Sequence, residues 1–240
     1  MKLKNLTVYL IPVFILATIT IKAQNILVGG GGGVGTFEMN STKEFNQTIV
    51  NLLPFKPYLT YNFPPYFFSN AEVIYCFPKN LAIGINLSST STGSRLSLAD
   101  YSGKYTLDNI QKGLFPGIKL LFGKAPGKSN GLNFSLEGGV AFSNMIVSED
   151  MKVFDQSTKD KQELNAMGIF VQPGICYFRN ITSRIKVCAN ISYYYGIEKG
   201  YHLPHVKNAR LINSETNEPI KPQWDGIRLG ITAYWSFPIE

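Results

Sequence analysis

The first residues that invite a chemical reading are glycines. Gly29 to Gly33 run unbroken, and Val34-Gly35 follow. A phosphate-binding loop needs Gly-Lys-Ser or Gly-Lys-Thr next, and then a helix. Here Thr36-Phe37-Glu38 follows with no helical pattern, which argues against a nucleotide loop. The run reads instead as a bare stretch of strand across which bulky neighbouring side chains can lie. His202 and His205, in Tyr201-His202-Leu203-Pro204-His205, could hold a metal or serve a lipid-modifying enzyme. Neither has a carboxylate or nucleophile placed beside it, and a convergent constellation is what catalysis requires. The chain is therefore read as non-enzymatic. Cys76, Cys176 and Cys188 are odd in number and contain no Cys-x-x-Cys, so neither a complete disulfide framework nor a zinc site is indicated. Cys176 and Cys188 share a parity on adjacent strands, yet three small buried thiols is the preferred reading. No motif calls for a cofactor.

A second group of candidates is charged: Glu72, Lys119, Glu137, Lys186 and Arg228. Their meaning depends on the elements that carry them. From Leu132 the chain alternates strictly, with Leu132, Phe134, Leu136, Val140 and Phe142 on one face and Asn133, Ser135, Glu137, Ala141 and Ser143 on the other. Residues 185–193 and 227–237 do the same. A two-residue period is the mark of a strand with one oily face. Eight strands are expected, near 25–37, 66–77, 81–93, 114–124, 132–147, 165–178, 185–197 and 225–237. All five charged residues fall on the polar parity. They are expected to form a salt-bridge network inside a closed barrel, with Lys119 opposite Glu137 across the 125–131 turn. A charged constriction in a pore is the alternative reading.

The connections alternate in length. Short ones fall at 78–80, 125–131 and 179–184, and long ones at 38–65, 94–113, 148–164 and 198–224. Short turns on one side and long loops on the other are the habit of outer-membrane barrels. The apolar faces end in aromatic residues. Phe77, Phe122, Tyr177, Trp235 and Phe237 lie toward the short turns, and Tyr66, Phe67, Phe142, Tyr193, Tyr195 and Trp224 lie toward the long loops. These are expected to form two interfacial belts. A soluble barrel of lipocalin type would turn the oily face inward. The abundance of Gly, Ser, Ala and Asn on the polar parity fits a narrow, filled lumen better. In the first long loop, Ser41-Thr42-Lys43-Glu44 has capping-box spacing, and Phe45, Ile49, Leu52 and Leu53 follow at helical spacing up to Pro54. A short amphipathic helix lying on the barrel rim is expected, with covering the mouth or docking a partner as the alternative.

Residues 1–23 read as a cleaved secretory signal, with basic Lys2 and Lys4 followed by an apolar run from Leu6 to Ile21. Residues 24–240 form the barrel domain. Losing Lys2, Lys4 and Lys22, and no acid, lowers the formal charge from +7 to +4, too mild for a nucleic-acid partner. The fold class expected is all-β, an eight-stranded antiparallel transmembrane up-and-down barrel.

The segments Gly117-Ile118-Lys119, Leu136-Glu137-Gly138-Gly139-Val140 and Leu229 through Phe237 resemble those of small Gram-negative outer-membrane barrels, including the PorT-like proteins of Bacteroidetes. Many such barrels end on an aromatic residue, whereas this chain reads Phe237-Pro238-Ile239-Glu240. The resemblance implies an outer-membrane location and a structural or interaction role, including secretion accessory. Both termini are expected in the periplasm. Outer-membrane lipid and lipopolysaccharide are the expected surroundings, with a periplasmic or secretion-system protein as partner. Basic turn residues Lys79, Lys124, Lys128, Arg179 and Arg184 could meet such a partner or lipid head groups. The alternatives are a narrow porin-like channel, or a lateral route for small apolar molecules.

Overall fold

Strict alternation along the chain becomes a closed wall. A computed structural model describes residues 25–239 apart from 79, 102, 124–129, 155, 205, 214 and 215. The expected signal segment lies outside the described residues. The elements run β1 (Asn25–Gly35), α1 (Asn40–Leu52), β2 (Tyr58–Asn62), β3 (Tyr66–Cys76), β4 (Leu81–Asp100), β5 (Gly103–Gly123), β6 (Gly131–Val153), β7 (Gln156–Asn180), β8 (Ile185–Glu198), β9 (His202–Leu203), β10 (Val206–Arg210) and β11 (Gly226–Pro238). Eight of them form an antiparallel ring in the order β1, β3, β4, β5, β6, β7, β8, β11 and back to β1. Closure leaves no open edge in the ring.

The parity is the reverse of a soluble protein's. On β11, Ile231 is 62% exposed while Arg228 on the opposite face is 3% exposed. Leu132, Phe134, Ile118, Ile169 and Ile191 likewise face outward, while Glu72, Lys119, Glu137 and Lys186 are buried inside. The oily face is the exterior, so the lipocalin-like arrangement is excluded.

Two of the four expected long loops are not loops. The segments 94–113 and 148–164 continue β4 to β7 as two hairpin arms, in register from Leu81↔Phe122 to Asp100↔Gly103 and from Gly131↔Phe178 to Val153↔Gln156. Each arm turns over two residues, with Phe154 in the left-handed region at φ 51° and Gly103 N donating to Asp100 Oδ1 at 3.1 Å. The β6–β7 arm lacks a sequence period because both of its faces are wet, with every residue from Gln156 to Glu163 exposed, whereas the β4–β5 arm buries Leu96, Tyr105 and Leu107 on its inner face. An ion pair helps to hold one arm. The Arg95 guanidinium donates Nε and Nη2 to the two carboxylate oxygens of Asp108 at 2.5 and 2.7 Å. That hydrogen bonding, with the nearby negative charge, raises the Arg95 pKa above its ordinary value.

Helix α1 sits in the mouth between the arms, but its expected capping box does not form. Met39, at φ 48°, occupies the N-cap without a side-chain bond, and Ser41 N donates to Gln223 Oε1 at 2.7 Å. The helix turns polar residues toward the inner wall. Gln111 Nε2 donates to Thr42 Oγ1 at 2.8 Å, and Asn46 Nδ2 donates to Ser94 Oγ at 2.7 Å. Ile49, Val50 and Leu53 pack against Leu96, Tyr105 and Leu107. Leu53 is extended ahead of Pro54, as a residue preceding proline prefers.

The glycine run is explained by register. Gly29 stands opposite Tyr234 on β11 and opposite Glu72 on β3. The Tyr234 hydroxyl crosses over it to donate to Glu72 Oε2 at 2.5 Å. One step along, Gly31 lies between Thr232 and Asn70, and Asn70 Nδ2 donates to Thr232 Oγ1 at 3.2 Å. A Cβ on Gly29 would lie 2.4 Å from Tyr234 Cδ1, whereas one on Gly30, on the outer face, would meet only Asn70 O at 3.6 Å. Gly29→Ala should therefore destabilise the barrel by about 1–3 kcal/mol through overpacking. Gly30→Ala should stay within about 0.5 kcal/mol of wild type. Urea unfolding followed by tryptophan fluorescence measures both, and equal losses would count against this account of the run.

Candidate functional site

The interior is filled level by level. Nearest the short turns, Leu27, Ile74, Leu121 and Phe178 form an apolar floor with Cys76, Cys176 and Cys188. All three cysteines are free and buried. Cys176 stands opposite Asn190 and Cys188 opposite Phe178, so the two lie diagonally across the β7–β8 ladder.

Above the floor lies the charged level. Lys119 stands directly opposite Glu137 in the β5–β6 ladder, the register expected from the 125–131 turn. The expected ion pair between them is replaced by another. Lys119 Nζ donates to Glu72 Oε1 and Oε2 at 2.8 and 3.0 Å, reaching over β4 to β3. The inward position of β4 beside Lys119 is Gly84, which presents no side chain to block that reach. Glu72 also accepts from Tyr234 at 2.5 Å and from Asn70 Nδ2 at 2.7 Å, so both of its oxygens are engaged. Glu137 accepts instead from Asn86 Nδ2 at 2.6 Å.

Arg228 lies on the next level and has no carboxylate partner among the described residues. Its Nη1 donates to Gln172 Oε1 at 3.2 Å. Its guanidinium carbon lies 4.2 Å from the Tyr194 ring centre, 4.9 Å from that of Phe115 and 5.8 Å from that of Phe68. Aromatic faces supply the electrostatic attraction that a carboxylate would otherwise give. Phe115 in turn meets Phe170, Tyr194 and Trp224 edge-on, and Phe170 stacks on Tyr194. Lys186 donates to Asn180 Oδ1 at 3.0 Å near the short-turn end. The five charged residues thus share the lumen without forming one network. Among the described residues the only ion pair joining them is Lys119–Glu72.

The aromatic residues divide. Phe122, Tyr177, Trp235 and Phe237 are exposed on the outer wall toward the short turns, and Phe67, Phe142, Tyr193 and Tyr195 toward the other end. Phe77 is half-buried and meets Tyr75 edge-on at 5.0 Å. Trp224, expected in the outer belt, is wholly buried inside, where Nε1 donates to Ser143 Oγ at 2.8 Å. Tyr66 also turns inward against the same aromatic cluster. Trp224 precedes β11, so strand parity did not determine its direction. Gln223, directly before it, is in the left-handed region at φ 50°.

His202 is paired with Asn165 on β7, and His205 lies outside the described residues. No group of three His, Cys, Asp or Glu among the described residues could hold a metal ion. The hydrogen-bonding residues Asn70, Asn86, Gln172 and Tyr234 were not singled out in advance. Their signal was the same inward parity that marked the charges.

No family model matches the chain. No curated protein matches it either. The PorT-like resemblance therefore rests on its short motifs. Similar solved structures include the attachment invasion locus protein Ail of Yersinia pestis, with TM-score 0.41, 11% identity, and coverage of 90% of this chain and 100% of that one. Neisserial surface protein A superposes with TM-score 0.37 and 9% identity over 89% of this chain and 97% of that one. A major outer membrane protein from Thermus thermophilus gives TM-score 0.42 and 11% identity over 90% of this chain and 100% of that one. Identity and superposition are low in all three.

Removing one partner of a buried ion pair leaves a charge in a poorly solvating interior, at a cost of about 3–5 kcal/mol. Glu72→Ala should therefore lower barrel stability by about that amount. Adding Lys119→Ala should restore part of the loss. Glu137→Gln, which keeps an acceptor for Asn86, should cost less than Glu72→Gln. Urea titration of the four variants tests this order; a larger loss for Glu137→Gln would assign the pair to Glu137 instead.

Proposed function

We propose that this protein is an outer-membrane β-barrel with a filled lumen, acting as a structural or interaction component and not as an enzyme. The observation that carries the reading is the inverted parity: Leu132, Ile118, Ile169 and Ile231 face outward round the ring while Glu72, Lys119, Glu137 and Arg228 are buried within it. Soluble proteins rarely expose contiguous apolar surface on this scale. A bilayer requires it, and also requires the closed ladder that satisfies every backbone group of the wall. The exposed aromatic residues near both ends of the apolar band suit the two interfaces. Short turns then face the periplasm with both termini, and the arms β4–β5 and β6–β7 stand outside the cell.

Aromatic packing round Arg228 and the Lys119–Glu72 pair favour a plug over a pore. The secretion-accessory role implied by the PorT-like motifs would place a periplasmic partner at the short turns, where Arg179 and Arg184 are exposed. In planar bilayers the purified protein should be almost silent, and Glu72→Ala/Lys119→Ala should raise its conductance. Steady conductance in wild type, with only selectivity altered in the variant, would establish the channel reading.

Orientation has its own test. With Cys76, Cys176 and Cys188 replaced by Ser, a cysteine at Lys104 should react with an impermeant maleimide on intact cells. A cysteine at Arg184 should react only after the outer membrane is opened. The opposite pattern would invert the barrel.

A further inference from the structure

The outer wall holds a cleft of about 1050 Å³ where the apolar band ends at the long-arm side. Its position follows from register. Leu114, Phe142 and Met167 stand side by side on β5, β6 and β7, each close to half exposed, as the last row of the wall that is apolar on all three strands. The next outward row is polar throughout: Lys112, Asn144, Asn165 and, beyond β7, His202. Asn144 Nδ2 donates to Asn165 Oδ1 at 3.0 Å and fixes the middle of that row. The segment between β8 and β11 then folds against the wall and adds Lys199, Arg210 and Lys221 to the lining.

The cleft therefore has an oily lower part continuous with the apolar band and a cationic upper part. Four permanent cations line it, with one imidazole and no carboxylate. None of the four cations forms an ion pair among the described residues. The nearest acid on β7, Glu163 on the row above, is held by Lys161 at 2.8 Å and also feels the charge of Lys112. Four cations gathered at one site repel one another unless an anion joins them. The loop that delivers three of them is itself ordered by backbone bonds, from Lys199 N to Met167 O and from Tyr201 N to Ile220 O. Tyr201 anchors it by donating its hydroxyl to Gln111 Oε1 at 2.9 Å inside the barrel.

We propose that this cleft binds the phosphorylated head group of an outer-leaflet glycolipid, its phosphate among Lys112, Lys199, Arg210 and Lys221 and the start of an acyl chain on Leu114, Phe142 and Met167. The proposal rests on the membrane reading above. A lipid is favoured over a soluble anion because the floor is apolar and sits at the edge of the apolar band. Charge-assisted bonds to phosphate are the strong class of hydrogen bond, and basic residues at a membrane surface are attracted to anionic lipid.

The test uses the full mature chain in detergent, with lipid binding read by native mass spectrometry. The probes are diphosphorylated lipid A, the same lipid enzymatically dephosphorylated, and inorganic phosphate as competitor. Wild type should prefer the diphosphorylated lipid at least tenfold. Lys112→Gln/Lys199→Gln/Arg210→Gln/Lys221→Gln should lose that preference while keeping the heat-dependent gel mobility of a folded barrel. Millimolar inorganic phosphate should leave wild-type binding largely intact. A folded wild-type barrel with no preference, a preference kept by the variant, or full displacement by inorganic phosphate would each overturn the site. Failure of wild type to show heat-dependent mobility would overturn the membrane reading, and the site with it.

Discussion

The Glu72 carboxylate is the point on which the interior turns. It accepts from Lys119 on β5, from Tyr234 on β11 and from its own strand neighbour Asn70. These bonds stitch strands that are not adjacent in the ring. Lys119 passes over β4 at Gly84, and Tyr234 passes over β1 at Gly29. The last strand of the ring, β11, is thus tied by side chains to β3, across the β1 strand with which it shares its backbone ladder. A buried pair of this kind adds little net stability over an apolar filling, because desolvation offsets much of the attraction. What it adds is register. A slip of one residue on any of these strands would turn its charge out into the apolar band. The glycines on β1 and β4 are then conditions of the same device, since each clears the path of one bond.

How much of this could be read in advance depended on what signal each part leaves. Hydrophobic alternation reports a wall with one oily and one filled side. It located all eight ring strands and the inward parity of Glu72, Lys119, Glu137, Lys186 and Arg228. It was faint above the band, where the β6–β7 arm is wet on both faces and the inner face of the β4–β5 arm mixes Leu96, Tyr105 and Leu107 with Ser94, Asn109 and Gln111, so the arms read as loops. Parity also fixes direction and not partner. Lys119 and Glu137 do stand opposite each other, yet the long lysine side chain finds a better-served carboxylate two strands away. Trp224 shows the same limit outside a strand: an aromatic near an interface looks like a belt residue, yet this one lies ahead of β11 and is wholly buried inside.

Arg228 and Lys119 illustrate two ways of keeping a cation within a narrow barrel. Lys119, a compact ammonium, is matched with a carboxylate. Arg228 is delocalised and weakly hydrated, and it lies against aromatic faces with one amide acceptor. The difference follows from level. Beside Lys119 lie Glu72, Glu137 and Gly84; beside Arg228 lie the rings of Phe68, Phe115 and Tyr194. Exchanging the two residues would leave an ammonium against ring faces, where its strong hydration would be lost without a matching anion.

A lumen filled in this way displaces function to the rim. An eight-stranded ring has an interior just wide enough for side chains, so nothing large can pass without dismantling the charged level and the aromatic level above it. The surfaces left to meet other molecules are the short turns, the exposed arms and the outer wall. Of these, the wall at Lys112 is where two solvents meet, with apolar Leu114 directly below and the basic loop beside it. The proposed lipid contact there follows from position. In the proposed site, the loop between β8 and β11 would set which head group is held, because it delivers Lys199, Arg210 and Lys221 to a row that the strands alone leave with a single cation.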